Sequence, residues 1–329
     1  MRDRRGFLAD AGRAASIGLL AGSGLIGTAC VTRDPRAATM PGAAAGDVEA
    51  GTRKASATLD LRVHQHYYFA PVTLAGERAG LWLIDTGSSI TIVESGVAGR
   101  LSLEASSERG RVRGIGGMQW VRWVESVALG IAGVRLPVDR VGQMNLYAIN
   151  RTVDMPLSGI VGFDALRGTP FTLDPRGKRA KLVLHPQQGF TAESGMRSVG
   201  LRTRGGVAEV EADFAGGGVG PLVVDTGQDR ALTLPAAWAV RWPGMFASPQ
   251  TGPGRSVGVG GTARGREGWV KSLEALGWVW RDVPVKIEPG AKRGRIGMKL
   301  LQQLVLSFDA AGGKLWSKPA ASEITGTIR

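Results

Sequence analysis

The tripeptide Asp-Thr-Gly occurs twice in this chain, each time directly behind an apolar run. "LWLIDTGSSITIV" runs from Leu81 to Val93 and "PLVVDTGQDRALTL" from Pro221 to Leu234, so Asp85 and Asp225 stand 140 positions apart. An apolar run that stops at Asp and Gly reads as a buried strand ending in a tight turn. Meeting the same strand and turn twice constrains the chain to two copies of one unit. The segments that follow repeat in the same order. A Gly-x-Gly-Gly comes next in both halves, at Gly114, Ile115, Gly116 and Gly117 and again at Gly258, Val259, Gly260 and Gly261. "GIVGFDAL" and "GRIGMKLL" come after it, each leading to a strand that closes on Asp. Gly159 to Asp174 and Gly294 to Asp309 both span 15 positions, whereas Asp85 to Gly162 is 77 and Asp225 to Gly297 is 72. Local motifs keep register and loops differ in length, as two copies of one unit should.

Composition agrees with a strand-rich body. With 43% hydrophobic residues in 329, the chain can build one large core or two joined ones. Its 50 glycines and few aromatics suit short strands and tight turns. A single Cys excludes an intrachain disulfide framework and a thiolate metal cluster. His64-x-His66, with His185 the one other His, is too sparse for a zinc site, so no metal or cofactor is expected. The net charge of +13 comes from scattered Arg and reads as a solvated basic surface. No nucleic-acid reader motif accompanies it, so nucleic acid is not an expected partner. Trp269, Trp278 and Trp280 read as core.

Residues 1–30 read as an export segment. Arg4 and Arg5 followed by Gly6, Phe7 and Leu8 resemble the twin-arginine signal, and Cys30 closes the segment like a lipoprotein cleavage site. The expected location is therefore outside the cytoplasm, periplasmic, with a membrane anchor if Cys30 is lipidated. Residues 31–57 read as a flexible tether. The body divides into a first unit at 58–187, a joint at 188–196 and a second unit at 197–318, with 319–329 as a tail.

The doubled motif has a chemical meaning. Two carboxyls brought within about 3 Å cannot both ionise at neutral pH, so they share one proton and supply one base and one acid. One Asp from each of two equivalent units gives that arrangement. The apolar runs hold each Asp on a rigid strand, Thr86 and Thr226 are placed to bond inward across the pair, and Gly87 and Gly227 allow the turn.

These motifs together resemble the aspartic proteases, in a form with two fused retropepsin-like lobes. "LIDTGSS" resembles the catalytic loop of pepsin-like enzymes, and "VVDTGQD" resembles the retroviral form, in which the Asp corresponding to Asp229 helps bind substrate backbone. The two Gly-rich stretches resemble flap tips, and the apolar-apolar-Gly segments resemble those packed behind each catalytic loop. The resemblance covers about Thr58 to Ser317. It implies an all-β fold of two pseudo-twofold-related retropepsin-like β-barrel lobes with a cleft between them. It implies hydrolysis of a peptide or protein substrate by an activated water, and a monomer whose lobes form a pseudo-dimer. Asp85 and Asp225 would be catalytic, Ser88 would hydrogen-bond the outer oxygen of Asp85, and the flaps would cover the substrate. The second unit departs from the pattern. Gln228 stands where the first unit has Ser88, Lys299 stands where it has Asp164, and Asp229 adds a third carboxylate. Unless Arg230 or Arg295 pairs with it, Asp229 is expected to raise the pKa values of the pair. Phe163 and Met298 occupy the position where retroviral enzymes hold an Arg against that Asp. A catalytically dormant peptide-binding or regulatory protein on the same fold is the alternative.

Overall fold

The apolar runs ahead of the two Asp-Thr-Gly motifs form strands buried at their ends. In Glu77–Asp85 and Gly218–Asp225 the last four residues of each strand are inaccessible. In this computed structural model the described residues are 55–114, 117–247, 253–258 and 261–321, with the short strands Leu19–Leu20 and Val48–Glu49. Strand accounts for 54% and helix for 12%, so the fold is mostly β, as expected. Among the described residues no helix is long and apolar enough to cross a membrane.

The strand bounds repeat along the chain. Ala57–Asp60, Arg62–His64 and Tyr67–Leu74 recur 140 positions later as Arg197–Gly200, Arg202–Arg204 and Val207–Phe214. Gly159–Gly162, with the short helix Phe163–Leu166 behind it, recurs 135 positions later as Gly294–Gly297 and Met298–Leu301.

In the second half, six strands close into a barrel. Val207–Phe214 pairs with Gly218–Asp225, which pairs with Gly294–Gly297, then Leu232–Pro235, Trp278–Glu288 and Gly261–Ala275. The ring closes where Ala212–Phe214 lie opposite Leu273–Ala275. The first half follows the same succession, from Tyr67–Leu74 through Glu77–Asp85, Gly159–Gly162, Ile92–Glu94 and Arg140–Met144 to Gly117–Glu125. There the long hairpin is interrupted, and a second short hairpin, Leu129–Ile131 with Val134–Leu136, makes the return contact to Tyr67–Leu74. Trp278 and Trp280 are buried as expected, and Trp269 is half-buried.

A third sheet joins the halves. Its order is Arg197–Gly200, Lys314–Pro319, Leu304–Asp309, Phe171–Asp174, Lys181–Leu184, Ala57–Asp60. Each half contributes three strands in mirrored order, and the central seam pairs Phe171 with Phe308. These two rings stack at 4.5 Å and 7° and are wholly buried. The joint at 188–196 lies between the two sets, after Lys181–Leu184 and before Arg197–Gly200.

Several expectations fall on residues that cannot be placed in this way. The twin-arginine stretch, Cys30 and the tip residues Ile115, Gly116, Val259 and Gly260 lie outside the described residues. Within the stretch expected as a tether, Val48–Glu49 pairs in parallel with Val134–Arg135.

Replacing a buried Phe by Ala removes its apolar area and leaves a cavity, at a cost of about 3–5 kcal/mol. Phe308→Ala is expected to lose stability in that range on urea unfolding, because the stacked ring sits at the seam between the halves. A loss under about 1 kcal/mol would show that the seam does not hold them.

Candidate active site

Each Asp-Thr-Gly sits where a strand leaves its sheet. Gly162 lies opposite Asp85 in a parallel pair, and Gly297 lies opposite Asp225 in the same relation. The two loops then meet. The Thr86 hydroxyl donates to Val224 O at 2.5 Å, and the Thr226 hydroxyl donates to Ile84 O at 2.7 Å. Each hydroxyl also accepts from the opposite backbone, Thr86 N–H to Thr226 Oγ1 at 3.0 Å and Thr226 N–H to Thr86 Oγ1 at 3.2 Å. All four residues Asp85, Thr86, Asp225 and Thr226 are fully buried. The inward bonding expected of the two threonines is what brings residues 140 positions apart into contact.

Within each loop the Asp folds back on its own turn. Gly87 N–H donates to Asp85 Oδ1 at 2.9 Å, and Gly227 N–H donates to Asp225 Oδ1 at 3.0 Å. A Cβ on Gly87 would collide with the Asp225 carboxyl, so only Gly lets the two loops approach this closely. The remaining oxygens, Asp85 Oδ2 and Asp225 Oδ2, are buried and have no hydrogen-bond partner among the described residues.

Burial raises both carboxyls. Asp85 is held well above the usual carboxylate range, first by desolvation and then by the charge of Asp225. Asp225 is pushed up to about 6 by desolvation, against an opposing pull from Arg295. The two carboxyls act on each other, so they take up and release protons as a pair. The expected influence of Asp229 on the pair is not what raises it. Asp229 acts instead on Tyr67, a buried tyrosine whose hydroxyl meets the Asp229 backbone amide. Burial, with Asp229, Asp225 and Asp85 nearby, raises the Tyr67 phenol further, so it stays neutral.

The role expected of Ser88 is corrected. Its hydroxyl donates to Ile90 O at 2.7 Å, and its backbone N–H donates to the main-chain carbonyl of Asp85 at 3.2 Å. A serine hydroxyl has one proton to donate, and Ile90 O takes it. In the first half Asp164 braces the loop, accepting from Thr91 N–H at 3.0 Å and the Thr91 hydroxyl at 2.8 Å. The second half has Lys299 and Ala231 at these positions. There the buried Gln228 takes over the bracing, accepting from the Thr233 hydroxyl at 2.8 Å and reaching Arg295 O at 3.5 Å.

Arg295 had been a candidate partner for Asp229, but it lies against Asp225. Its Nε is 3.9 Å from Asp225 Oδ2, and its Nη2 is 3.4 Å from Glu288 Oε2. Glu288 also takes Lys286 Nζ at 3.2 Å, and burial holds the Lys286 ammonium below its usual pKa. Arg230 pairs with Glu267 at 2.8 Å. Sequence reasoning missed Tyr67, Glu288 and Lys286, because each lies on a strand far in sequence from either motif.

The Gly-x-Gly-Gly stretches close two hairpins. Gly114 pairs with Gly117 at the end of Arg109–Gly114 and Gly117–Glu125, and Gly258 pairs with Gly261 at the end of Pro253–Gly258 and Gly261–Ala275. Trp120, on the first of these hairpins, is exposed and lies beside the Arg111 guanidinium.

No protein-family model matches the chain, and no curated protein matches it.

Two outcomes follow from the geometry. Thr226→Val keeps the shape but strips Ile84 O and Thr86 N–H of their partners, and each buried orphan costs about 1–3 kcal/mol. A loss of about 2–4 kcal/mol in urea unfolding is expected; a neutral result would contradict the cross-loop bonding. The second concerns pH. An unfolded Asp loses its proton near pH 4, whereas folded Asp85 keeps its own well above that. Stability should therefore fall as pH rises from about 4, and Asp85→Asn should remove part of that fall. Unfolding at pH 3 and pH 7 should show Asp85→Asn neutral at the lower pH and stabilising by at least about 1 kcal/mol at the higher.

Proposed function

We propose that the chain is an aspartic endopeptidase of two fused retropepsin-like lobes, with Asp85 and Asp225 as its catalytic pair. The observation that carries this reading is the reciprocal bonding of Thr86 and Thr226, which places two buried carboxyls against each other with one oxygen of each unmatched. A pair in which one carboxyl is ionised and the other protonated has the two groups that amide hydrolysis needs. The ionised carboxylate takes a proton from water as the water oxygen attacks the carbonyl carbon. The protonated carboxyl gives its proton to the carbonyl oxygen. The tetrahedral intermediate then collapses: one of its hydroxyls returns a proton to the carboxylate that had acted as acid, the C–N bond breaks, and the nitrogen leaves with the proton first taken from water, which restores the pair.

Two such lobes would suit an extended peptide, and the hairpins ending at Gly114–Gly117 and Gly258–Gly261 suit flaps that exclude water and hold substrate backbone. The Asp229 backbone amide is engaged by Tyr67, so a substrate would meet a wall built from both lobes at that point. The N-terminal segment supports an exported, periplasmic protein, membrane-anchored if Cys30 is lipidated. The asymmetry at Gln228, Arg295 and Lys299 favours, as the second reading, a peptide binder that cleaves nothing.

The test is cleavage of a mixed peptide library from pH 3 to 7.5. Cleavage is expected, with a statine-type transition-state mimic blocking it and Asp85→Asn or Asp225→Asn each lowering kcat about 10³-fold or more. Saturable peptide binding without a cut at any pH would replace the protease reading with the binding one.

A further inference from the structure

The two catalytic loops bond to each other almost symmetrically, yet their electrostatic surroundings differ. Asp225 faces Asp85 across the loops, Tyr67 from Tyr67–Leu74, and Arg295 from Gly294–Gly297. Behind Arg295 stand Glu288 and Lys286, both on Trp278–Glu288, with Arg230 and its partner Glu267 close to Lys286. The position equivalent to Arg295 in the first half, 135 residues earlier, is Ile160, a buried apolar residue. One Asp therefore has a buried cation beside it and the other has none on the matching strand.

Arg295 is 1% exposed, and its Nε has no hydrogen-bond partner, although it stands 3.9 Å from Asp225 Oδ2. A buried guanidinium cannot shed its charge, so it favours whichever neighbouring group is negative. Glu288 holds the Nη2 end and fixes the direction in which Nε points. Water does not screen a pair this deep as it would at the surface.

We propose that Arg295 is a positioning residue that assigns the roles in the pair: it holds Asp225 as the ionised base and leaves the shared proton on Asp85, the acid. This rests on the protease reading for its consequence in catalysis, though not for the charge assignment itself. The two lobes thereby acquire fixed and different tasks. Attack on the water proton belongs to the second lobe, and protonation of the carbonyl oxygen belongs to the first.

The test is a titration of carboxyl carbons by NMR in protein labelled at Asp, with Asp85→Asn and Asp225→Asn used to assign the two resonances. Arg295→Met keeps bulk and removes charge. The Asp225 step is expected to move up by one pH unit or more, and the acid limb of kcat/KM is expected to move up with it; Arg295→Lys should restore part of both. If Arg295→Met does not fold, Glu288→Gln tests the same field from the other side, because removing a negative charge behind Arg295 should move the Asp225 step down. An Asp225 step unmoved by these changes overturns the assignment, whether or not peptides are cut. A step that moves in a protein that cuts nothing supports the assignment and counts against the protease reading.

Discussion

The four hydrogen bonds between the Thr86 and Thr226 loops are the constraint on which the rest of the site depends. They join two segments 140 positions apart, each at the end of a strand whose last residues have no access to water. Each hydroxyl both donates and accepts, so replacing either Thr by a residue without a hydroxyl leaves buried backbone groups unmatched. The bonds hold two carboxyls together that would otherwise repel, and the surrounding sheets supply the rigidity that keeps them there. The mirrored six-stranded sheet serves the same end at a distance, since its central seam fixes how the two halves meet.

Raised pKa values at such a site are a direct cost of burial. The protein carries two desolvated carboxyls and offsets part of that cost with N–H donors from Gly87 and Gly227 and with the Arg295 charge. What burial leaves is a pair that still holds a proton above the usual carboxylate range, which is the property acid–base chemistry uses. The asymmetry between the halves is concentrated in the second, where Gln228, Arg295 and Lys286 take positions that a strict copy of the first half would fill otherwise.

Much of this could be read from the sequence because short-range pattern carries it. Apolar runs ending in Asp-Thr-Gly gave the motif-bearing strands, and the constant spacing of Gly159 to Asp174 and Gly294 to Asp309 gave the repeat. The meeting of Thr86 with Thr226 followed from the doubled motif, and the strand-rich body from the many glycines and few aromatics, while the all-β class was what the family resemblance implied. The sheet joining the halves was not legible, since Ala57–Asp60 and Arg197–Gly200 are short, ordinary strands whose pairing depends on contacts far along the chain. The same holds for Tyr67, which reaches Asp229 from the other half. Ser88 was misread because the Ile90 carbonyl, two residues away, competes for its hydroxyl. Arg295 stood out as a charge, but its place beside Asp225 was not legible, because the sequence does not say which loop a side chain on that strand meets.

The most direct test of the account is a structure of the protein bound to a statine-type peptide. The account predicts the statine hydroxyl within hydrogen-bond reach of both Asp85 Oδ2 and Asp225 Oδ2, with the peptide running under the two Gly-rich hairpins. A peptide seated elsewhere, or a hydroxyl that touches neither oxygen, would contradict it.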